Sequence, residues 1–460
     1  MLSAAKLIAA VAVIGAAAHD YFPAESPEYN YVAINKMLHS LNTVRGPGEA
    51  YALYDWDNTN VFGDISETSI WYQVKNLNFR IQPKDFEKIF SLGYTANTTN
   101  VCFPKGLNTP VFPKSDVTIA QLIQTTARDY ANLYQAYIAP TYKLPVDTTA
   151  SLSGATPGHA ACGGDLLPGN MTLAQIQETT VFNNFAAEFG ALIFNWENYG
   201  GADDFADCSV FAGMVALPQA LVGMTKDEIH ALMKGSLRFN LNAAIGSKTF
   251  TSTENKAVTN DYPTGIRTFN GQEASMRAMH DAGMGVYVIS ASPQEFVEIA
   301  STHSGLTYEV PQDHVFGVRF QYTADGKFTG QLVDNSTYPI TWGPGKAWVT
   351  ENIIKKKHGN AAPLYTSGDS NGDCAFMSLT RDGVVMVNNR LKANTNCIQK
   401  FYEKSCQFYG SVEPETKNQY IMQGQDKEMG SWINSGWTTK NGKDYSSATS
   451  AACDAYKTFF

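Results

Sequence analysis

Two aspartates, Asp55 and Asp57, close the apolar run in YALYDWDNTN, and Thr59 follows two residues later. Like charges that close repel, so a strand end that collects them needs a chemical reason. Three further stretches carry reactive groups: Ser290 ends GVYVIS, Lys346 stands in GPGKAWVTENIIKK, and Asp369 and Asp373 lie in GDSNGD. Together these types suit phosphoryl transfer. A carboxylate attacks phosphorus and forms an acyl-phosphate, which divides one hard step into two. A second carboxylate protonates the leaving alcohol and later activates water. A hydroxyl and an ammonium hold the negative equatorial oxygens. Several carboxylates would repel the phosphate unless a divalent cation lay among them, and hard oxygen ligands suit magnesium. Each stretch alone is ordinary: acidic turns, a serine N-cap and a solvated lysine are common. The ordered combination is not.

The elements that must position these residues are readable. YALY, GVYVIS, APLYTS and GVVMVNN are short apolar runs, and helical patterns follow the second and third of them. Repeated strand–loop–helix units predict a doubly wound parallel sheet, an α/β fold. Ligands of such sheets sit beyond the carboxyl ends of the strands, where Asp55, Ser290 and Asp369 stand. Ahead of the first strand, Ile34, Met37, Leu38 and Leu41 mark one face of an amphipathic helix. In SASPQEFVEIA, Ser292 and Glu295 read as a capping box with Pro293 at the first helical position. FGVRFQYTADGKFTGQLV, residues 316–333, reads as a β-hairpin about Asp325-Gly326. The stretch between the first two strands is far too long for a crossover, and PKDFEKIFSLGY, TIAQLIQTTARDYANLYQAY and TKDEIHALMKGSLRFNLNAA have helical spacing. We expect an inserted, mainly helical domain over 65–270 and a core made of 19–64 and 271–394. A loop-rich extension over 395–460 should pack on that core.

This ordered set resembles the haloacid dehalogenase superfamily of aspartate-nucleophile phosphohydrolases. The likeness covers about residues 48–64 and 270–390, and Asp55, Asp57 and Thr59 meet its DxDxT motif in full. The resemblance implies that Asp55 is the nucleophile and a magnesium ligand. It makes Asp57 the general acid/base, with its carbonyl on the metal. Ser290 and Lys346 would hold the phosphoryl group, and Asp369 and Asp373 would complete the metal site. The insertion resembles the helical-cap subclass. An acid at position 57 favours a phosphatase or phosphomutase, and a secreted chain favours the hydrolase.

The large insertion, DWDNTN and the tail stretch YIMQGQDKEMGSW resemble secreted phosphorylcholine phosphatases of that superfamily. A quaternary ammonium neither donates nor accepts hydrogen bonds and is held by aromatic faces. Trp71, Tyr72, Trp196 and Tyr199 are the candidates for such a cage. The same rings serve equally as core. A broad-specificity acid phosphatase would share every core residue and differ in the cap. A non-catalytic binding protein would be expected to have lost a motif residue.

Composition and the first residues bound the partners and the compartment. Net charge is −9, which with no basic patch argues against a nucleic-acid partner. MLSAAKLIAAVAVIGAAAHD has the charged, apolar and small-residue parts of a signal peptide over 1–18, and its apolar run is too short to span a bilayer. Seven cysteines in an oxidising compartment leave one unpaired or paired between chains. Cys374 is expected free, Cys397 paired with Cys406, and Cys102 with Cys162. Asn97, Asn170 and Asn335 begin glycosylation sequons. The oligomeric state is not legible.

Overall fold

A computed structural model of the chain describes residues 26–95, 106–111, 116–145, 167–169, 171–194, 216–302, 306, 308–392, 397–410, 418–441 and 443–445. The expected leader, Cys102, Cys162, the sequons at Asn97 and Asn170, and Trp196 and Tyr199 lie outside these residues. The chain clusters into two units. One comprises Met1–Ile65, Ile266–Val318 and Asp334–Phe460, and the other Ser66–Gly265 and Arg319–Val333.

The first unit is built on a six-stranded parallel sheet: β1 (Tyr51–Tyr54), β2 (Gly285–Pro293), β3 (Val315–Val318), β4 (Tyr365–Gly368), β5 (Val384–Asn388) and β6 (Gln419–Gln423). Their order across the sheet is β6-β5-β4-β1-β2-β3. Every residue of β1, β4 and β5 is buried, which is why these strands read as continuous apolar runs rather than alternating ones. The chain moves outward from β1 to β2 and β3, then returns to β4 on the other side of β1. That reversal makes β1 the switch point, and its carboxyl end carries Asp55. The helix Glu28–Val44 buries Ile34, Met37, Leu38 and Leu41, the face its spacing marks.

Three readings from sequence change. The stretch expected to form one hairpin is divided: Val315–Val318 joins the main sheet, while Phe320–Tyr322 and Phe328–Leu332 pair around Gly326 in the second unit. There the hairpin is fastened by Gly223 and Met224, which exchange backbone hydrogen bonds with Phe328 at 2.9 and 2.8 Å. The C-terminal extension is more than loop: it supplies the helix Gln399–Gly410 and the edge strand β6. The cysteine pairing also differs. Cys374 is bonded to Cys397, with Cα atoms 6.4 Å apart, and Cys406 is disulfide-bonded as well, so neither a free Cys374 nor a Cys397–Cys406 pair stands.

The second unit is mainly helical, with two hairpins. Its helices Ile119–Leu133 and Lys226–Asn242 each begin with a complete capping box, Thr118 with Gln121 and Thr225 with Glu228. Phe79, Phe86, Tyr130, Phe185 and Phe189 form its aromatic centre. No helix among the described residues is long and apolar enough to cross a membrane.

Candidate active site

The loop after β1 is folded tightly around one carbonyl. Asp55 N–H extends the sheet ladder to Ser367 O at 3.0 Å, and Thr59 and Asn60 N–H both return to Trp56 O, at 3.2 and 2.8 Å. Asn58 takes a left-handed backbone, φ 58°, which asparagine tolerates better than most residues. Asn60 Nδ2 donates to Asp55 O at 2.6 Å, which accounts for a polar residue just after Thr59. Trp56 is fully buried against Tyr308, ring centroids 5.0 Å apart, and so packs the loop from behind.

This loop aims Asp55 at three buried partners. Asp55, Asp369 and Asp373 offer carboxylate oxygens that lie within 4.8 Å of one another. Lys346 Nζ donates to Asp55 Oδ1 and, at 2.6 Å, to Asp373 Oδ1. Lys346 reaches them from the short helix Pro344–Val349, which starts on a proline suited to the first helical position. Thr59 Oγ1 lies 3.3 Å from Asp55 Oδ2 and 3.1 Å from Asp369 Oδ1, sharing one hydrogen between them. Asp373 Oδ2 accepts backbone N–H groups of Asp369 and Ser370 at 3.0 and 2.9 Å. The turn back depends on Gly368, where an added Cβ would lie 2.5 Å from Asp373 Cβ.

Charge is out of balance in this cluster. Burial, then the Asp373 carboxylate, push Asp55 well above the ordinary carboxylate range; Lys346 opposes them and Asp369 adds to the upward shift. Burial alone would lower Lys346, but Asp373 and Asp55 more than offset it and hold the ammonium above its usual value. One ammonium and the Arg390 guanidinium on Asp369, against three buried carboxylates, still leave room for more positive charge. The all-oxygen donor set is the kind that holds a hard divalent cation, so these residues fit such an ion.

Asp57 is kept apart from that triad. Its Oδ1 accepts Ile65 N–H at 2.8 Å, and its Oδ2 accepts the hydroxyls of Ser290 at 3.3 Å and Ser292 at 2.6 Å. Burial, followed by the nearby Asp64 carboxylate, pushes Asp57 up to about 8 against those hydrogen bonds. Such a group keeps its proton at neutral pH.

Ser292 is a site residue that sequence reasoning assigned to a helix cap. Here β2 runs through Pro293, which stands at the N-cap of the helix Gln294–Ser301 and makes no side-chain cap hydrogen bond itself. Ser290 and Ser292, two apart on an extended strand, therefore share a face, and that period-two spacing was the available signal. Arg390, also missed, follows β5 and donates to Asp369 Oδ2 at 3.1 Å. No motif announces it.

The cage candidates are placed differently. Trp71 is buried in the core of the second unit, with ring centroids 5.4 Å from both Phe250 and Tyr262. Tyr72 is half-buried against Phe239 at 5.7 Å, and its hydroxyl occupies the space a side chain at Gly235 would need.

No known family model matches the chain, and no curated protein matches it. The fold is similar to the crystal structure of a conserved, functionally unknown protein from Anaerococcus prevotii DSM 20548, with a TM-score of 0.67 and 22% identity over 92% of this chain and 99% of that one.

Proposed function

We propose that the chain is a secreted, magnesium-dependent phosphomonoesterase that works through an aspartyl-phosphate on Asp55. The observation that carries this reading is the division of the two acids. Asp55 lies against Lys346 and two further carboxylates, while Asp57 sits apart with its carboxyl held by the Ser290 and Ser292 hydroxyls. The insertion of Ser66–Gly265, the larger part of the second unit, between β1 and β2 resembles the helical-cap subclass of the haloacid dehalogenase superfamily. The Cys374–Cys397 disulfide suits an oxidising compartment.

In this reading a carboxylate oxygen of Asp55 attacks phosphorus, and the bond from phosphorus to the leaving oxygen breaks. Asp57 gives its proton to that oxygen as the alcohol departs. Water then attacks the acyl-phosphate, Asp57 takes the water's proton, and the bond from Asp55 to phosphorus breaks to release phosphate. Lys346 and the Ser290 hydroxyl neutralise and orient the transferred oxygens. A magnesium ion held by Asp55, Asp369, Asp373 and the Asp57 carbonyl would supply the positive charge that lets the carboxylates ionise together.

The test is phosphate release from a panel of phosphomonoesters, with magnesium or with a chelator, in the wild type and in Asp55→Asn. Activity should require the metal and fall by at least about 1000-fold in the variant. Full activity in Asp55→Asn, or hydrolysis indifferent to chelation, would sink the proposal.

A further inference from the structure

The tail stretch YIMQGQDKEMGSW brings a cation beside the candidate site. Strand β6 ends at Gln423, and the chain enters a small sheet containing Gln425–Asp426 and Thr438–Lys440. Asn389, just past β5, ties this sheet down: its carbonyl accepts Thr438 Oγ1 and Gln425 Nε2, and its Nδ2 donates to Gly436 O at 3.0 Å. Trp432 locks the other side, stacking on Phe269 and filling the space above Gly271, where a Cβ would meet the indole at 2.3 Å. Asp426 Oδ1 accepts the N–H groups of Glu428 and Met429 at 2.8 and 2.9 Å, and Lys427 sits at the head of that turn.

Lys427 is half-buried, with its ammonium 5.3 Å from the ring centre of Phe62, just past the Asp55 loop. Among the described residues it has no carboxylate within ion-pair distance and no side-chain hydrogen bond. Burial, then neighbouring Arg390, lower its pKa to about 8; Asp369 opposes, and Lys392 and Lys440 add to the lowering. Arg390 lies on Asp369 at 3.1 Å, Lys440 follows Thr439, whose carbonyl accepts Lys427 N–H at 3.0 Å, and Arg390, Lys392 and Lys440 all act on Lys427, in a chain of net charge −9. A partly desolvated cation held among like charges is costly unless an anion completes the set.

We infer that Lys427, with Arg390, Lys392 and Lys440, receives a second anionic group carried by the substrate, a carboxylate or a second phosphate on the leaving group. This rests on the phosphomonoesterase reading and narrows it. The same corner repels a quaternary ammonium, so a choline leaving group is disfavoured.

Phosphomonoesters of matched size whose leaving groups are neutral, carboxylate-bearing, phosphate-bearing or quaternary ammonium test this on the full chain with magnesium. We expect kcat/KM to be about tenfold or more higher for an anionic ester than for the neutral one, and lowest for choline phosphate, with added salt eroding the difference. Lys427→Gln should cut the anionic-to-neutral ratio about tenfold, and Lys427→Arg should restore most of it. Whether the carboxylate or the phosphate arm responds identifies the group. A flat wild-type panel, an unchanged ratio in Lys427→Gln, or an equal loss on every ester overturns the inference. If no ester is hydrolysed, the hydrolase reading fails. Calorimetric binding of the same esters then decides: tighter binding of the anionic ones, weakened by Lys427→Gln, upholds the ligand class, and equal binding rejects it.

Discussion

Asp373 holds Lys346 from below. Its Oδ1 accepts the ammonium at 2.6 Å, and its Oδ2 is fixed by backbone N–H groups of Asp369 and Ser370. Both side chains are almost wholly buried, 2% and 0% exposed. Removing Lys346 leaves its two carboxylate partners, Asp55 and Asp373, uncompensated inside the protein. Lys346→Met should therefore lower unfolding stability by about 3–5 kcal/mol and abolish activity with the loss of the phosphate ligand. Asp373→Ala in the same chain should recover part of the stability but none of the activity, because one of the two stranded charges goes while the phosphate ligand is still missing. Urea unfolding of the two single variants and the double variant measures the coupling, and strict additivity would contradict the pairing.

The raised pKa of Asp57 sets the direction of a pH profile. The first step needs its proton, so phosphate release should decline as pH rises through about 8, the value the site imposes. Asp57→Asn should remove that limb and lower the rate about 100-fold or more. Ser292→Ala takes away the shorter of the two hydroxyl contacts, which favours the ionised acid. Its alkaline limb should move to higher pH. A limb that stays put in Ser292→Ala would argue that another group titrates.

The fold and the site were not equally legible. Parallel strands buried on both faces must be apolar throughout, so YALY and GVVMVNN were readable as strands, and their ends located Asp55, Ser290 and Asp369. β6 was missed because QYIMQ is short and begins and ends in glutamine; it pairs with β5 and buries Ile421, Met422 and the polar Gln423. Ser292 was read only as a cap, because a serine before proline and glutamate carries that local signature, whereas its contact with Asp57 is tertiary. Aromatic rings carry no mark that separates cage from core, so Trp71 was ambiguous until its neighbours were known. Arg390 belongs to no motif, Lys427 was quoted only within the tail stretch YIMQGQDKEMGSW without a role, and it is the fold that brings the two near each other.

In the second unit, Asp129 gives a separate test of electrostatics. It is nearly buried on the helix Ile119–Leu133, pairs with Arg128 at 2.9 Å, and has one oxygen without a hydrogen-bond partner among the described residues. Burial raises its pKa to about 7, with Arg128 opposing and Glu188 and Glu254 adding to the rise. A raised carboxylate means that the folded state binds the proton more tightly than the unfolded chain does. Its contribution therefore favours folding below the unfolded value near 4 and declines as pH rises towards about 7. Asp129→Asn should flatten that part of the stability–pH curve, by on the order of 1 kcal/mol between pH 5 and 7. Parallel curves for the two proteins in urea unfolding would refute it.

The Cys374–Cys397 bond closes a separation of 23 residues and begins at the neighbour of Asp373. The sequence alone favoured a free thiol there, because nothing local indicates that residue 397 returns to the start of the short helix Cys374–Met377. Cross-linking a loop of that size is worth about 3 kcal/mol, chiefly by restricting the unfolded chain. Cys397→Ser should therefore lower stability by about 2–4 kcal/mol. It should also weaken magnesium affinity, since the turn carrying Asp369 and Asp373 loses its tether. Denaturant unfolding and the magnesium dependence of activity read the two effects separately. If thiol titration of the denatured wild-type chain gave a reactive Cys374, the pairing itself would be wrong.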